Sequence, residues 1–180
     1  LVLVMHACEM ERGNYWGRVI CETAIEALTA QDLVGIVEFN HASGAVEWAL
    51  PLQPAGDKVN ALRAAGRLRY GDMPDFAPSM NLAVQALAGA DAGERHIVII
   101  SDGDPQPPSV ALLERMHDLD IPASTVLVGG HGRPEDQRRM EHIASATGGE
   151  FHRVTDPDQL PRIMIEAAQL ASRSLVQEGK

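Results

Sequence analysis

Short unbroken apolar blocks alternate along the chain with longer stretches in which apolar residues recur every three or four positions. Residues 1–5, Leu-Val-Leu-Val-Met, are wholly apolar, as expected of a strand covered on both faces. In 14–28, Val19, Ile20, Ala24, Ile25 and Leu28 follow helical spacing. Residues 33–39 read as a second buried strand, whereas 45–52 alternate, with Val46, Trp48, Leu50 and Leu52 on one side. Only 40–44 join these two runs. A connection that short permits a hairpin but not a parallel crossover, so the third strand is expected to be antiparallel and at the sheet edge. Helices are expected over 57–68 and 79–87, separated by the Gly/Pro/Asp-rich stretch 70–78. Residues 95–100 form the clearest central strand, ending abruptly at Ser101-Asp102-Gly103. Beyond Pro107-Pro108 the pattern predicts a helix over 110–119, a strand over 121–128 and a helix over 135–147 that stops at Gly148-Gly149. A short strand at 150–154 and a closing helix over 157–172 complete the series. This alternation argues for a doubly wound α/β domain, a mostly parallel sheet with helices on both faces. The antiparallel third strand reverses the chain, and the helix pair after it restores direction before the fourth strand.

At 180 residues the chain fits one domain spanning 1–180. A chain this long buries roughly 70% of the surface its unfolded form exposes, so it needs no disulfide or metal staple. Aromatic residues make up 4% of the chain, which leaves the core to Ala, Val, Leu and Ile. The formal net charge is −10, and no Lys/Arg cluster stands ready to neutralise phosphates, which argues against nucleic acid as a partner. Cys8 and Cys21 are too few for a disulfide framework and lack C-x-x-C spacing. No apolar run reaches bilayer length and no signal peptide is present, so direct membrane insertion of this domain is not expected. The chain opens inside a strand-like run without an initiator Met, and reads as a piece of a longer protein.

In an open parallel sheet, ligands sit outside the carboxyl ends of the strands, where strand order reverses. With the first and fourth strands as central neighbours, that crevice is lined by 6–13, 70–79 and 102–108, and the loops 40–44 and 129–134 reach the same rim. Polar residues in these loops are therefore the functional candidates.

A strand ending in a D-x-S-x-S-like pentapeptide (here His6-Ala7-Cys8-Glu9-Met10), a mid-chain loop before a helix, and a later strand ending Ser101-Asp102-Gly103 resemble a von Willebrand factor type A (VWA) domain over nearly the whole chain. The resemblance implies a Rossmann-like, six-stranded sheet in the order 3-2-1-4-5-6. His6–Met10 followed by Gly13-Asn14-Tyr15-Trp16, with Gly71-Asp72-Met73-Pro74 and Ser101-Asp102-Gly103-Asp104-Pro105, is similar to a bacterial subgroup. Those proteins carry the module inside larger, often membrane-anchored polypeptides, some of them amidotransferase-like. The family's metal-ion-dependent adhesion site holds magnesium through an Asp and two Ser of the first motif, a Thr of the mid-chain loop and an Asp after the fourth strand. Here the resemblance places His6, Cys8 and Met10 at the first three positions, Ser79 or Met80 at the Thr and Asp102 at the last. Imidazole, thiol and thioether are ligands magnesium does not favour.

Two readings of this degenerate site stand side by side. His6 and Cys8, two apart, together with Ser79 and Asp102, form a ligand set for a non-magnesium divalent metal such as zinc. Alternatively, His6 and Cys8 fill space and hydrogen-bond loop backbone, while Asp102 satisfies N–H groups of its own turn. Asp104-Pro105 and Pro107-Pro108 stiffen the loop beyond. Tyr15 and Trp16 read as packing beneath the first loop, whereas Glu9 and Met10, if exposed, offer an acidic and an apolar contact. Glu9, Met10, Asp75, Asp104 and His131 are the rim residues expected to meet a partner. Gly129-Gly130-His131-Gly132 lacks the Lys-Ser/Thr of a P-loop and serves better as a strand-to-helix turn.

Two functional classes follow. The favoured one is a non-enzymatic interaction module that binds another protein, or another domain of its own polypeptide, at the carboxyl-end rim, with or without a divalent metal. The other is a transition-metal- or thiol-dependent hydrolase using His6, Cys8 and Asp102. For that chemistry neither a base-orienting group nor an oxyanion pocket can be placed, and the phosphatase spacing C-x5-R is absent.

Overall fold

A computed structural model describes residues 1–6, 14–69, 71–129 and 133–172. The strands are β1 (Val2–Met5), β2 (Leu33–Asn40), β3 (Ala45–Pro54), β4 (Ile97–Ser101), β5 (Ala123–Val128) and β6 (Phe151–Val154). They form one sheet in the order β3-β2-β1-β4-β5-β6, parallel throughout except for the antiparallel β2–β3 pair. The helices are α1 (Asn14–Ala27), α2 (Lys58–Ala65), α3 (Phe76–Ala88), α4 (Val110–Asp118), α5 (Pro134–Thr147) and α6 (Leu160–Ser172).

The period-2 geometry of a strand divides each apolar block between two cores. Leu3 and Met5 of β1, with Val98 and Ile100 of β4, face a cluster built with Ile20 and Ile25 of α1, Ala61 of α2 and Met164 of α6. Val2, Val4, Ile97 and Ile99 face the other, with Phe76 and Met80 of α3, Leu113 of α4 and Met140 of α5. Every residue of β1 and β4 is buried, which is why both read as unbroken apolar runs.

The β2–β3 turn closes at Gly44, in the left-handed region at φ +68, with Asn40 Oδ1 accepting from the Ala42 N–H. Helix α3 begins at Phe76, three residues before the start that spacing predicts. Asp75 is its N-cap, accepting from the Ala77 N–H at 2.7 Å, and Pro78 falls in the first turn, where a missing N–H costs nothing. Ser109 likewise caps α4 ahead of the expected apolar run. Gly148, at φ +82, ends α5 in the left-handed conformation. Among the described residues no helix is long and apolar enough to cross a membrane.

The parallel neighbours β1 and β4 send their chains to opposite faces of the sheet. Their carboxyl ends, capped by His6 and by Ser101-Asp102, are therefore the switch point of the topology.

Candidate functional site

His6 follows β1 directly, and its N–H donates to the Ile100 carbonyl at 3.0 Å, extending the β1–β4 ladder by one residue. The ring is buried, with 1% of the residue exposed. Its Nδ1 lies 2.8 Å from Ser101 Oγ and 3.2 Å from Asp102 Oδ1. Ser101 Oγ accepts from the Gly103 N–H and donates its single proton to Asp102 Oδ1 at 3.4 Å. The proton between ring and hydroxyl must then sit on His6 Nδ1. Nε2, on the outer side of the ring, lies 3.3 Å from Asp72 Oδ1. Asp104 completes the group: one ligating atom each of His6, Asp72 and Asp104 lies within 4.8 Å of the others.

Two glycines hold these loops where they are. Gly103 has φ +88, and a Cβ there would stand 2.9 Å from the Asp136 carbonyl, so only glycine can make the turn between Asp102 and Asp104. Arg139 donates to the Gly103 carbonyl and reinforces it. A Cβ on Gly71 would stand 2.0 Å from the Phe39 carbonyl, so the loop carrying Asp72 lies directly on β2. Further along, Phe76 N–H donates to the Gln106 carbonyl and Gln106 N–H to the Pro74 carbonyl, tying the Asp72 loop to the Asp104 loop.

Burial alone would lower the His6 pKa. The hydrogen bond to Asp102 and the charges of Asp102 and Asp104 outweigh it, and the value is raised. Burial would raise Asp102, but its bond and charge interaction with His6 hold it well below the usual carboxylate range. Asp104 is pushed up to about 6, by burial first and by the neighbouring Asp102 charge second. The His6 ring sits among carboxylates, with Asp102 beneath (3% exposed) and the Asp72 side chain 72% exposed above.

Of the metal ligands expected from sequence, His6 and Asp102 come together, while Cys8 lies outside the described residues. Ser79 is fully buried near the start of α3, with its hydroxyl donating to the Phe76 carbonyl at 2.8 Å. Of the expected partner contacts, Asp104 is at the cluster and Asp75 is the half-buried α3 cap. Glu9, Met10 and His131 lie outside the described residues. Asp72 was not among the expected site residues, nor was Ser101. The signal for Asp72 is its place after a glycine in the loop that the topology brings to the switch point. Beside Asp102, toward β6, a cavity of about 290 Å3 is lined by Leu127 and Asp136, with Arg133, Arg138 and Arg153 around it.

A magnesium site of the family type does not fit these residues. An imidazole, which magnesium does not favour, stands where the first hard oxygen is needed.

Comparison with known proteins agrees with the topology. The chain is similar to the conserved hypothetical protein BatB of Bacteroides thetaiotaomicron (TM-score 0.74, 15% identity, covering 96% of this chain and 98% of that one). It is also similar to the vWF domain of the type V pili tip protein Mfa5 of Porphyromonas gingivalis (0.74, 10%, covering 99% and 96%). A third likeness is to an aerotolerance-related membrane protein of Bacteroides fragilis (0.68, 15%, covering 93% and 98%). At such identities these likenesses establish the fold alone. No curated protein matches the chain. The family model for the von Willebrand factor type A domain matches residues 18–166, and the chain belongs to that family.

Proposed function

We propose that this domain is a protein-interaction module that engages a partner, or another domain of its own polypeptide, at the rim formed by the carboxyl ends of β1 and β4 and the loop at 71–75. One observation carries the reading. His6, Asp72, Asp102 and Asp104 converge at the switch point, although a fold of this kind needs no charged cluster there. Burying an imidazole and a carboxylate costs stability unless each is paired, and apolar residues of similar size are often as stable or more so. Such a cluster is kept for binding rather than for folding. The exposed Asp72 and half-buried Asp104 offer carboxylates at the surface, and the adjoining cavity has room for a side chain of the partner. The likeness to a pilus-tip domain and to a membrane protein supports a parent polypeptide displayed at a membrane.

The test is site-specific photocrosslinking in the parent protein, in its native host. A photoreactive residue at the exposed Gln106, on the rim, should give a discrete adduct that is lost on adding Asp102→Ala. The same residue at Asp91, exposed at the opposite end of the sheet, should give none. Equal adducts from both positions would refute the rim as the binding surface.

A further inference from the structure

The orientation of the His6 ring carries more than the interaction reading requires. Its inner nitrogen is fixed as the donor by Ser101 and Asp102, at 2.8 and 3.2 Å. This is the arrangement by which metal-bound histidines are held: one ring nitrogen donates to a carboxylate or its neighbour, and the other turns its lone pair outward. That outer nitrogen, Nε2, lies beside Asp72, and one donor atom each of His6, Asp72 and Asp104 lies within 4.8 Å of the others. Two donors of one tetrahedral zinc stand about 3.3 Å apart, given bonds near 2 Å. Nε2 and Asp72 Oδ1 are already at 3.3 Å. Asp72 is largely exposed and free to adjust its rotamer.

We propose that His6 Nε2, a carboxylate oxygen of Asp72 and a carboxylate oxygen of Asp104 bind a divalent ion of the zinc class, with Asp102 positioning His6 instead of touching the ion. The donor set is therefore not the family's. Its one hard ligand after the fourth strand becomes a support, and the mid-chain loop contributes an Asp from its start rather than a hydroxyl from its helix. One imidazole and two carboxylates suit a borderline ion better than magnesium, and three ligands leave a fourth tetrahedral position for another donor. A donor from a partner could enter there, but the assignment does not depend on one.

The experiment is calorimetric titration of the purified chain with zinc chloride, repeated with cobalt(II) and followed by visible absorption. The expected result is one ion per chain. Affinity should fall at least tenfold in Asp72→Asn and in Asp104→Asn, and be lost in the double variant. Asp72 is exposed, so Asp72→Asn leaves the fold intact, and circular dichroism checks this for each protein. Asp102→Asn should weaken binding by about 10- to 100-fold, the usual effect of removing a carboxylate behind a ligating histidine, and should shift the cobalt spectrum. No stoichiometric zinc, or zinc that binds the double variant as tightly as the wild type, would overturn the site. Failure to bind zinc together with an intact Gln106 crosslink would leave the interaction reading standing while the metal site fell.

Discussion

Gly71→Ala joins the fold to the site in one substitution. The Gly71 Cβ would stand 2.0 Å from the Phe39 carbonyl oxygen and 3.0 Å from Phe39 Cδ1. A relaxed carbon–oxygen contact is about 3.3 Å, so roughly 1.3 Å of movement is needed. Strand β2 cannot supply it, because it is paired with β1 on one side and β3 on the other. The loop must yield instead, against the anchors of buried Met73 and Phe76 and the Pro74–Gln106–Phe76 backbone bonds. Overpacking of this kind costs about 1–3 kcal/mol. The gain from restricting the unfolded chain, about 0.4–1 kcal/mol for Gly→Ala, offsets only part of that. For a chain of this size the melting temperature should fall by about 2–8 °C. A displacement of 1 Å at Gly71 also separates Asp72 from His6, now 3.3 Å apart. Urea unfolding followed by circular dichroism should therefore show a lower midpoint with an unchanged slope, and zinc affinity should fall in parallel. A variant as stable as the wild type, or more so, would mean that the loop does not lie on β2, and the placement of Asp72 would fall with it.

Two further outcomes concern the core and its charges. Ile99, fully buried in β4, contributes about 1.5–3 kcal/mol through burial, and Asn in its place also buries an amide without partners. Ile99→Asn should therefore lower stability by about 3–5 kcal/mol, a large share of a domain's total, and tolerance of it in a thermal melt would contradict the two-faced burial of β4. His96, buried with its Nε2 2.9 Å from Ser124 Oγ, is pulled down to about 4, by burial first and then by the amino-terminal charge. Its folded pKa lies below the unfolded one, so its contribution is complete above about pH 6.5 and is lost as the pH falls toward 4, roughly 3 kcal/mol at the limit. His96→Gln should accordingly gain on the wild type in urea midpoints measured from pH 7 to 4.5, and a constant gap would refute the buried neutral imidazole.

The sheet was legible because its physics is local. An apolar block buried on both faces reads the same in β1 as in β4, and the short gap at 41–44 forces a hairpin whatever surrounds it. Helix α3 was harder. Pro78 reads as a loop residue, yet in a first turn it breaks no hydrogen bond, and Asp75 supplies the cap. That shift matters at the site. With the helix beginning at Phe76, Ser79 has a carbonyl three residues back to bond, and Asp72, ahead of the helix, is the residue of this loop that meets His6. His6 and Asp102 were legible because each ends a central strand, and topology alone brings two such ends together. Asp72 depends on Gly71 lying against Phe39, a contact across 32 positions that no periodicity announces. The poor match to magnesium was legible in the ligand chemistry of the sequence, whereas the contact of Asp102 with the inner nitrogen of His6 required the position of the ring.

The rim is tested most directly by hydrogen–deuterium exchange of the domain alone and of the complex captured through Gln106. Protection is expected in 71–75 and 102–108, with none in the opposite loop at 89–94. Protection confined to 89–94, or to the outer faces of the helices, would contradict a binding surface at the carboxyl ends of β1 and β4.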